Sequence, residues 1–276
     1  MKRLRRLRLP VIFVAAAILL GSAVFVSVAA TTANAGEGTA ASRNLADEDN
    51  GRVRVAAFSA LQPGAHLPPG WAPVQIGAVP KHTEYVLANV DGVTVLQAQA
   101  DSSMSALGRE VDVDTDATPW LQWRWSIAGS NDKSALGSKQ GDDFPARVYV
   151  FFDFDIMRLP FLERVAIRVA RALYGERLPL AALCYVWAND DPPGTADWSA
   201  YTDRVRMVVA SSGPGQPGQW ISVERNVRDD FREAFGEPVP RITGIAIATD
   251  SDNTGARSVA WYGDISFSRQ PGPEQR

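Results

Sequence analysis

Four segments of this chain alternate apolar and polar side chains in a way that would place arginine, tyrosine and tryptophan side chains together. They are Trp120–Ile127, Arg147–Asp153, Leu183–Asn189 and Arg204–Val209. Successive side chains of a β-strand point to opposite faces of the sheet, so one alternating set of each segment is expected in the core. The other set contains aromatic rings and the planar hydrogen-bond donors of arginine, glutamine and asparagine: Gln122, Arg124, Arg147, Tyr149, Tyr185, Trp187, Asn189, Arg204 and Arg206.

Side chains of these types suit a polyhydroxylated or acidic ligand. Aromatic rings stack on the apolar faces of sugars, and guanidinium and amide groups donate to hydroxyls or carboxylates in fixed geometry. The alternative is a network of ion pairs with Asp142, Asp143, Asp153 and Asp203. Exposed pairs contribute at most ~1 kcal/mol each, so four arginines exceed what stability requires. The predicted ligand-binding residues are Arg147, Tyr185, Trp187, Asn189, Arg204 and Arg206.

A loop near the end of the chain has the composition of a calcium site. Asp250, Asp252 and Asn253 offer oxygen ligands, and Asp264 lies in the following predicted strand. The twelfth position of the loop holds Trp261 instead of the acidic residue that an EF-hand requires. We expect Asx turns here and no metal or cofactor, with calcium binding left open.

Hydrolytic motifs are scarce. His66 and His82 are the only histidines, and no serine lies in a nucleophile-elbow context, which argues against a Ser–His triad and a histidine zinc site. A glycoside hydrolase or polysaccharide lyase remains as the enzymatic alternative. Its candidates are Asp142, Asp143, Asp153, Asp155, Glu224, Tyr149, Tyr185 and Tyr201. We expect a non-catalytic binding domain for a glycan or other acidic or polyhydroxylated ligand, with an envelope scaffold as the third hypothesis.

The first 35 residues predict export to the periplasm or the exterior. Five basic residues precede the apolar run Leu9–Ala30, and Ala33 and Ala35 are the small residues at which a signal peptidase cleaves. The run is long enough to span a bilayer, so an uncleaved anchor is the alternative and the expected membrane contact. Without residues 1–35 the chain holds 23 basic and 31 acidic residues, a net charge of −8. This charge argues against nucleic acid as a partner.

The remaining chain predicts a flexible leader at 36–52, a single β-sandwich domain at 53–268 and a disordered tail at 269–276. Short β-rich segments separated by Gly, Pro, Asn and Asp predict an all-β, jelly-roll-like antiparallel β-sandwich. Helical spacing in Leu162–Tyr174 and Arg228–Phe235 adds one or two peripheral helices. Trp123 and Trp125 are expected in the core, and Cys184 has no partner for a disulfide. The predicted strands are Val53–Phe58, Tyr85–Ala88, Val93–Ala98, Leu107–Val113, Trp120–Ile127, Arg147–Phe152, Leu183–Ala188, Val205–Ala210, Gln219–Val223, Ile242–Ala248 and Val259–Phe267.

Four runs in the same order resemble a bacterial exported family catalogued as domain of unknown function 3047. They are GDDFPARVYV from Gly141, YVWAN from Tyr185, YTDRVRM from Tyr201 and TDSDNTG from Thr249. The resemblance covers roughly residues 53–268 and implies an exported domain without an established activity. Residues 242–267 also resemble the closing strands of jelly-roll carbohydrate-binding modules.

Overall fold

The structure is a computed structural model and describes residues 48–49, 51–74, 79–155, 157 and 181–272. The predicted signal peptide and the predicted helix Leu162–Tyr174 lie outside the described residues. Within the described residues, no helix has the length and apolar character needed to cross a bilayer.

The described residues form fourteen strands, a 3-10 turn at Phe58–Ala60 and one α-helix, α1, at Val227–Phe235. All eleven predicted strands coincide with observed ones, because alternation and turn residues mark them clearly. The strands are β1 Glu48–Asp49, β2 Arg52–Ala56, β3 Ala72–Val74, β4 Glu84–Val90, β5 Val93–Asp101, β6 Ala106–Val113, β7 Trp120–Ile127, β8 Arg147–Phe152, β9 Ala182–Ala188, β10 Ala196–Ser199, β11 Thr202–Ser212, β12 Ile221–Asn226, β13 Ile242–Ala248 and β14 Arg257–Ser268.

The strands form two seven-stranded sheets, which confirms the predicted all-β sandwich. In sheet A, β14 is central: β7 pairs with one edge, and β5 and β2 pair with successive parts of the other. β4, β12 and β1 extend β5, β7 and β2 respectively. Sheet B has the order β10-β11-β9-β8-β13-β6-β3. Its β9–β11 pair is parallel, whereas the other strand pairs of the two sheets are antiparallel, as predicted.

Large aromatic side chains fill the space between the sheets. Trp125 lies at the centre, with its ring centroid 5.3 Å from that of Trp123, 5.9 Å from Trp187 and 6.5 Å from Tyr262. Its indole nitrogen donates to Ser211 Oγ at 2.9 Å, which satisfies the one polar atom of the ring. Trp123 and Trp125 therefore lie in the core as predicted.

The outer face of sheet B is also apolar. Cys184, Val186, Met207 and Val209 form a buried cluster there with Phe144. Burial raises the pKa of the Cys184 thiol to about 12, so the thiol is unreactive at neutral pH. As a result, all seven residues of β9 are buried, and both faces of this strand are apolar.

Helix α1 confirms the second predicted helix and closes one end of the core. Asn226 caps it by accepting hydrogen bonds from the amides of Arg228 and Asp229. Phe231 packs against Phe152 of β8 with ring centroids 4.4 Å apart. The helix ends at a glycine with positive φ.

Candidate ligand-binding site

The six residues predicted to bind a ligand do not share one surface. Strands β8, β9 and β11 are neighbours as expected, but the predicted faces of β9 and β11 are both reversed. Tyr185 and Trp187 face the core between the sheets and are 0% and 1% exposed. Arg147 lies opposite Val186, on the outer face of sheet B. The prediction that Trp187 faces away from the core is therefore wrong.

The remaining predicted residues are also separated from one another. Arg206 stacks on Trp198 at 5.2 Å beside a cavity of about 20 Å³, which is room for about one water. Arg204 is half-buried and lies 3.7 Å from the exposed Asp203. Asn189 accepts a hydrogen bond from Ser130 at the end of β9. The expectation of one surface formed by these side chains is thus wrong, because it depended on the predicted faces of β9 and β11, which are both reversed relative to β8.

Arg147 instead holds together a cluster of carboxylates that we call the aspartate centre: Arg147, Asp142, Asp143, Asp250 and Asp252. Arg147 Nη2 lies 2.5 Å from Asp250 Oδ2 and 3.1 Å from Asp142 Oδ1, and Nε donates to Asp250 Oδ1 at 3.0 Å. Burial raises the pKa of Asp250 to about 7, and the guanidinium of Arg147 acts in the opposite direction. Arg147 therefore takes part in a network of ion pairs, which is the alternative that the sequence left open, and not in a ligand surface.

Three of the four runs that resemble the family meet at the aspartate centre. Asp143 accepts hydrogen bonds from the amides of Asn253 and Thr254. Tyr201 Oη lies 3.4 Å from Asn253 Oδ1 and also 3.4 Å from the carbonyl oxygen of Lys139. These contacts tie three loops together at one end of sheet B.

Three carboxylates of the aspartate centre lie close enough together to be considered as ligands of a cation. Oxygens of Asp143, Asp250 and Asp252 lie within 4.8 Å of one another. Asp143 and Asp250 are fully buried and already accept hydrogen bonds, whereas Asp252 Oδ1 has no partner among the described residues. Arg147 supplies the positive charge, so these donors fit a cation poorly. Asp264 cannot complete a calcium site here, because it binds Ser59 instead.

A second polar region lies on the outer face of sheet A. It is an open cleft of about 720 Å³, which we call the arginine cleft. Two rows of side chains cross the sheet at this point. Ser268 of β14 lies between Arg52 and Trp120, and Ser266 lies between Arg54 and Gln122. Because the serines are small and their neighbours are long, the middle strand forms a floor between two walls. The residues lining the cleft are Gly51, Arg52, Arg54, Gln122, Ser268, Arg269, Gln270, Pro271 and Gly272.

A hydrogen bond across β14 joins the two walls of the arginine cleft. Arg52 Nη2 donates to Gln122 Oε1 at 2.5 Å, and Gln122 Nε2 donates to Glu224 Oε2 at 2.6 Å. The amide of Gly272 donates to the same carboxylate oxygen at 2.5 Å, which holds the chain after β14 against the sheet. Three guanidinium groups line the cleft, and none of the described lining residues is acidic. The cleft is therefore electropositive.

Comparison with known proteins identifies the family. The model of a family described as "Protein of unknown function (DUF3047)" matches residues 69–266. The chain belongs to this family. No curated protein matches the chain.

Several solved structures are similar to this DUF3047 protein at low identity. A K2 cleaved adhesin domain of Lys-gingipain is 9% identical over 79% of this chain and 99% of that one, with a TM-score of 0.35. A family 30 carbohydrate-binding module from Clostridium thermocellum is 11% identical over 80% and 99%, also with a TM-score of 0.35. The xyloglucanase domain of NopAA from Sinorhizobium fredii is 7% identical over 75% and 96%, with a TM-score of 0.40. At these scores we draw no conclusion from the similarities.

Sequence reasoning found only part of the arginine cleft of this DUF3047 protein. Gln122 belongs to the predicted set of planar hydrogen-bond donors, and Arg54 lies in the predicted strand Val53–Phe58, whereas the sequence places Arg52 in the flexible leader. Arg269 was assigned to the disordered tail. Arg52 and Arg54 lie on β2, whereas Ser268 and Arg269 lie more than 200 residues later in the chain. The pairing of β2 with β14 brings them together. Only the fold could bring them together.

Proposed function

We propose that this DUF3047 protein is an exported, non-catalytic binding protein whose arginine cleft takes a glycan or another acidic, polyhydroxylated ligand. One observation carries the proposal: a cleft of about 720 Å³ is lined by three guanidinium groups and, among the described lining residues, by no acidic one. Ligand sites typically measure ~300–1,000 Å³ and hold a few polar groups that fix orientation. Export is supported by the N-terminal sequence, in which a basic segment precedes an apolar run.

Catalysis finds little support in the described residues. Asp143 and Asp250 are fully buried, so no substrate reaches them. Tyr185 is buried and donates to Asp230 at 2.6 Å, and Asp230 is also paired with Arg225. A glycosidase needs two accessible carboxyl groups on either side of the scissile bond. The described residues that line the arginine cleft include no carboxyl group, and the carboxylate of Glu224 beside it already accepts hydrogen bonds from Gln122 and Gly272.

A glycan array with the purified protein tests this function. We expect binding to one class of glycan and a loss of about tenfold or more in affinity for Arg52→Ala, because arginines at the centre of a contact contribute most of its energy. Arg257→Ala is the matched control, since Arg257 is exposed at the start of β14 and does not line the cleft. The proposal fails if no glycan binds, or if both variants bind as the wild type does.

A further inference from the structure

We infer that the outer face of sheet A carries a second binding site, which takes an uncharged polysaccharide with flat pyranose faces, of the β-1,4-glucan kind. We call this site the tryptophan shelf, and it consists of Gln97, Gln99, Arg124, Trp220 and Trp261. None of these residues lines the arginine cleft, so the inference goes beyond the proposed function and does not depend on it. Two properties carry it: two partly exposed indole rings on one sheet face, and planar hydrogen-bond donors beside them that have no partner.

Strand pairing places Trp261 on the outer face of sheet A. The next residue, Tyr262, lies in the core against Trp125, so the side chain of Trp261 points to the opposite side of the sheet. Trp261 is partly exposed. Its direct partner on β5 is Gln97, and directly paired side chains on one face have Cβ atoms about 4.5–5.5 Å apart. Gln99 is the next residue on this face of β5 and is the diagonal neighbour of Trp261. Two amide groups therefore border the indole ring.

The second ring of the shelf is that of Trp220, which directly precedes β12. The guanidinium carbon of Arg124 lies 4.7 Å from the centroid of this ring. Arg124 is on the outer face of β7, because the residues on either side of it lie in the core. A Cβ atom at Gly263 of β14 would lie 2.5 Å from Arg124 Cγ. The glycine therefore makes room for the Arg124 side chain to lie close to β14, the strand that carries Trp261.

The spacing of the two rings suits an extended ligand. Strands β12 and β14 pair with opposite edges of β7, so they lie about 10 Å apart. Trp261 on β14 and Trp220 at the start of β12 can therefore contact separate sugar residues of one chain.

The hydrogen-bonding groups of the shelf are free to bind a ligand. Among the described residues, the side-chain amides of Gln97 and Gln99 and the indole nitrogen of Trp261 have no hydrogen-bond partner. Arg124 contacts the ring of Trp220, and within the same part of the chain its guanidinium has no hydrogen bond or ion pair. Amide groups both donate and accept, which matches the hydroxyls of a sugar. An indole ring contacts the apolar face of a pyranose, and its nitrogen donates to hydroxyls.

The charge of this region matches an uncharged ligand. Charged side chains of both signs surround the amides and the rings: Arg124, Lys81 and Arg257 are positive, and Glu84, Asp101 and Asp264 are negative. The region has no excess of one sign with which to attract an anion or a cation. Flat apolar faces belong to pyranoses whose hydroxyls are equatorial, as in a β-1,4-glucan, and such faces are complementary to indole rings.

Calorimetry with cellohexaose, a soluble uncharged chain of β-1,4-linked glucose, tests the inference on the purified protein. We expect binding, with the affinity decreased at least tenfold by Trp261→Ala, because a tryptophan at the centre of a contact contributes much of its energy. Trp261→Phe keeps an aromatic ring and should lose less, and Gln97→Ala should also weaken binding. The matched control is Trp198→Ala, since Trp198 is partly exposed but lies on β10 of sheet B, and its affinity should stay within about twofold of the wild type. Circular dichroism melting curves verify that each variant is folded.

The variant Arg52→Ala separates this inference from the proposed function. It should leave cellohexaose binding unchanged, because Arg52 lines the arginine cleft and not the tryptophan shelf. Absence of cellohexaose binding, or equal losses for Trp261→Ala and Trp198→Ala, would overturn the inference and leave the arginine cleft to be judged by its own test. Loss of cellohexaose binding in Arg52→Ala but not in Trp261→Ala would overturn the inference and support the proposed function. Loss in Trp261→Ala alone supports the inference even if the arginine cleft binds no glycan.

Discussion

Replacing Arg147 with methionine removes the only cation of the aspartate centre and keeps most of the side-chain volume. Arg147 is 2% exposed, and its guanidinium is paired with Asp250 and Asp142 at 2.5 and 3.1 Å. Removing one partner of a buried ion pair costs about 3–5 kcal/mol, because the remaining carboxylates lose their compensating charge. Each kcal/mol lowers the melting temperature of a domain of this size by about 2–4 °C. The expected decrease is therefore about 6–20 °C at pH 8, where Asp250 is ionised.

Thermal unfolding followed by circular dichroism measures this effect. Arg147→Lys keeps the charge but loses the planar fork, so its loss should fall between those of Arg147→Met and the control. The control is Arg257→Met, an exposed position where a change within about 0.5 kcal/mol is expected. Adding Asp250→Asn to Arg147→Met should recover part of the loss, since one uncompensated carboxylate is removed. A loss for Arg147→Met no larger than the control's, or strict additivity in the double variant, would refute this reasoning.

Four further outcomes are expected. Trp187→Ala should lose about 3–5 kcal/mol in urea unfolding and the partly exposed Trp220→Ala much less; equal losses would contradict the core position of Trp187. Because burial raises the pKa of Asp250 to about 7, the native state binds an extra proton between pH 4 and 7, and the contribution of this group to stability falls as the pH rises. The stability of the wild type relative to Asp250→Asn should therefore be lower at pH 7.5 than at pH 5, and the opposite trend in urea midpoints would contradict this. Asn226→Ala should cost about 1 kcal/mol through loss of the α1 cap, measured by urea unfolding against a surface substitution. N-terminal sequencing of exported protein should begin at Gly36, whereas Met1 in the membrane fraction would indicate the uncleaved anchor.

The positions of the strands could be predicted from the sequence because local signals determine them. Alternation and turn residues located eleven strands, and the spacing of Phe231 and Phe235 located α1. The very short strands β1, β3 and β10 were missed. Each is two to four residues long, too short for a period of two to be recognised.

The faces of β9 could not be predicted, for a physical reason. A strand covered on both sides is apolar at every position, so alternation carries no information about which face is which. Tyr185 and Trp187 each carry a polar atom on an aromatic ring, which favoured an exposed position. In the structure, the Tyr185 hydroxyl donates to Asp230 and the Trp187 nitrogen donates to the carbonyl oxygen of Gly213 inside the fold. Arg147 is buried in an ion pair with Asp250, which is 103 residues further along the chain, so local sequence patterns give no sign of this pair.

The central position of β14 in sheet A has a consequence for the order of folding. β2, β5 and β7 each pair with β14 and not with one another, so without residues 257–268 sheet A is divided into three separate two-stranded pieces. Two-stranded pieces are at best marginally stable in water. Of the described strands of sheet A, β14 is synthesised after all the others, so sheet A becomes cooperative only after residues 257–268 have been made. For a protein that we propose to be exported, this strand order delays the folding of sheet A until residues 257–268 have been translocated.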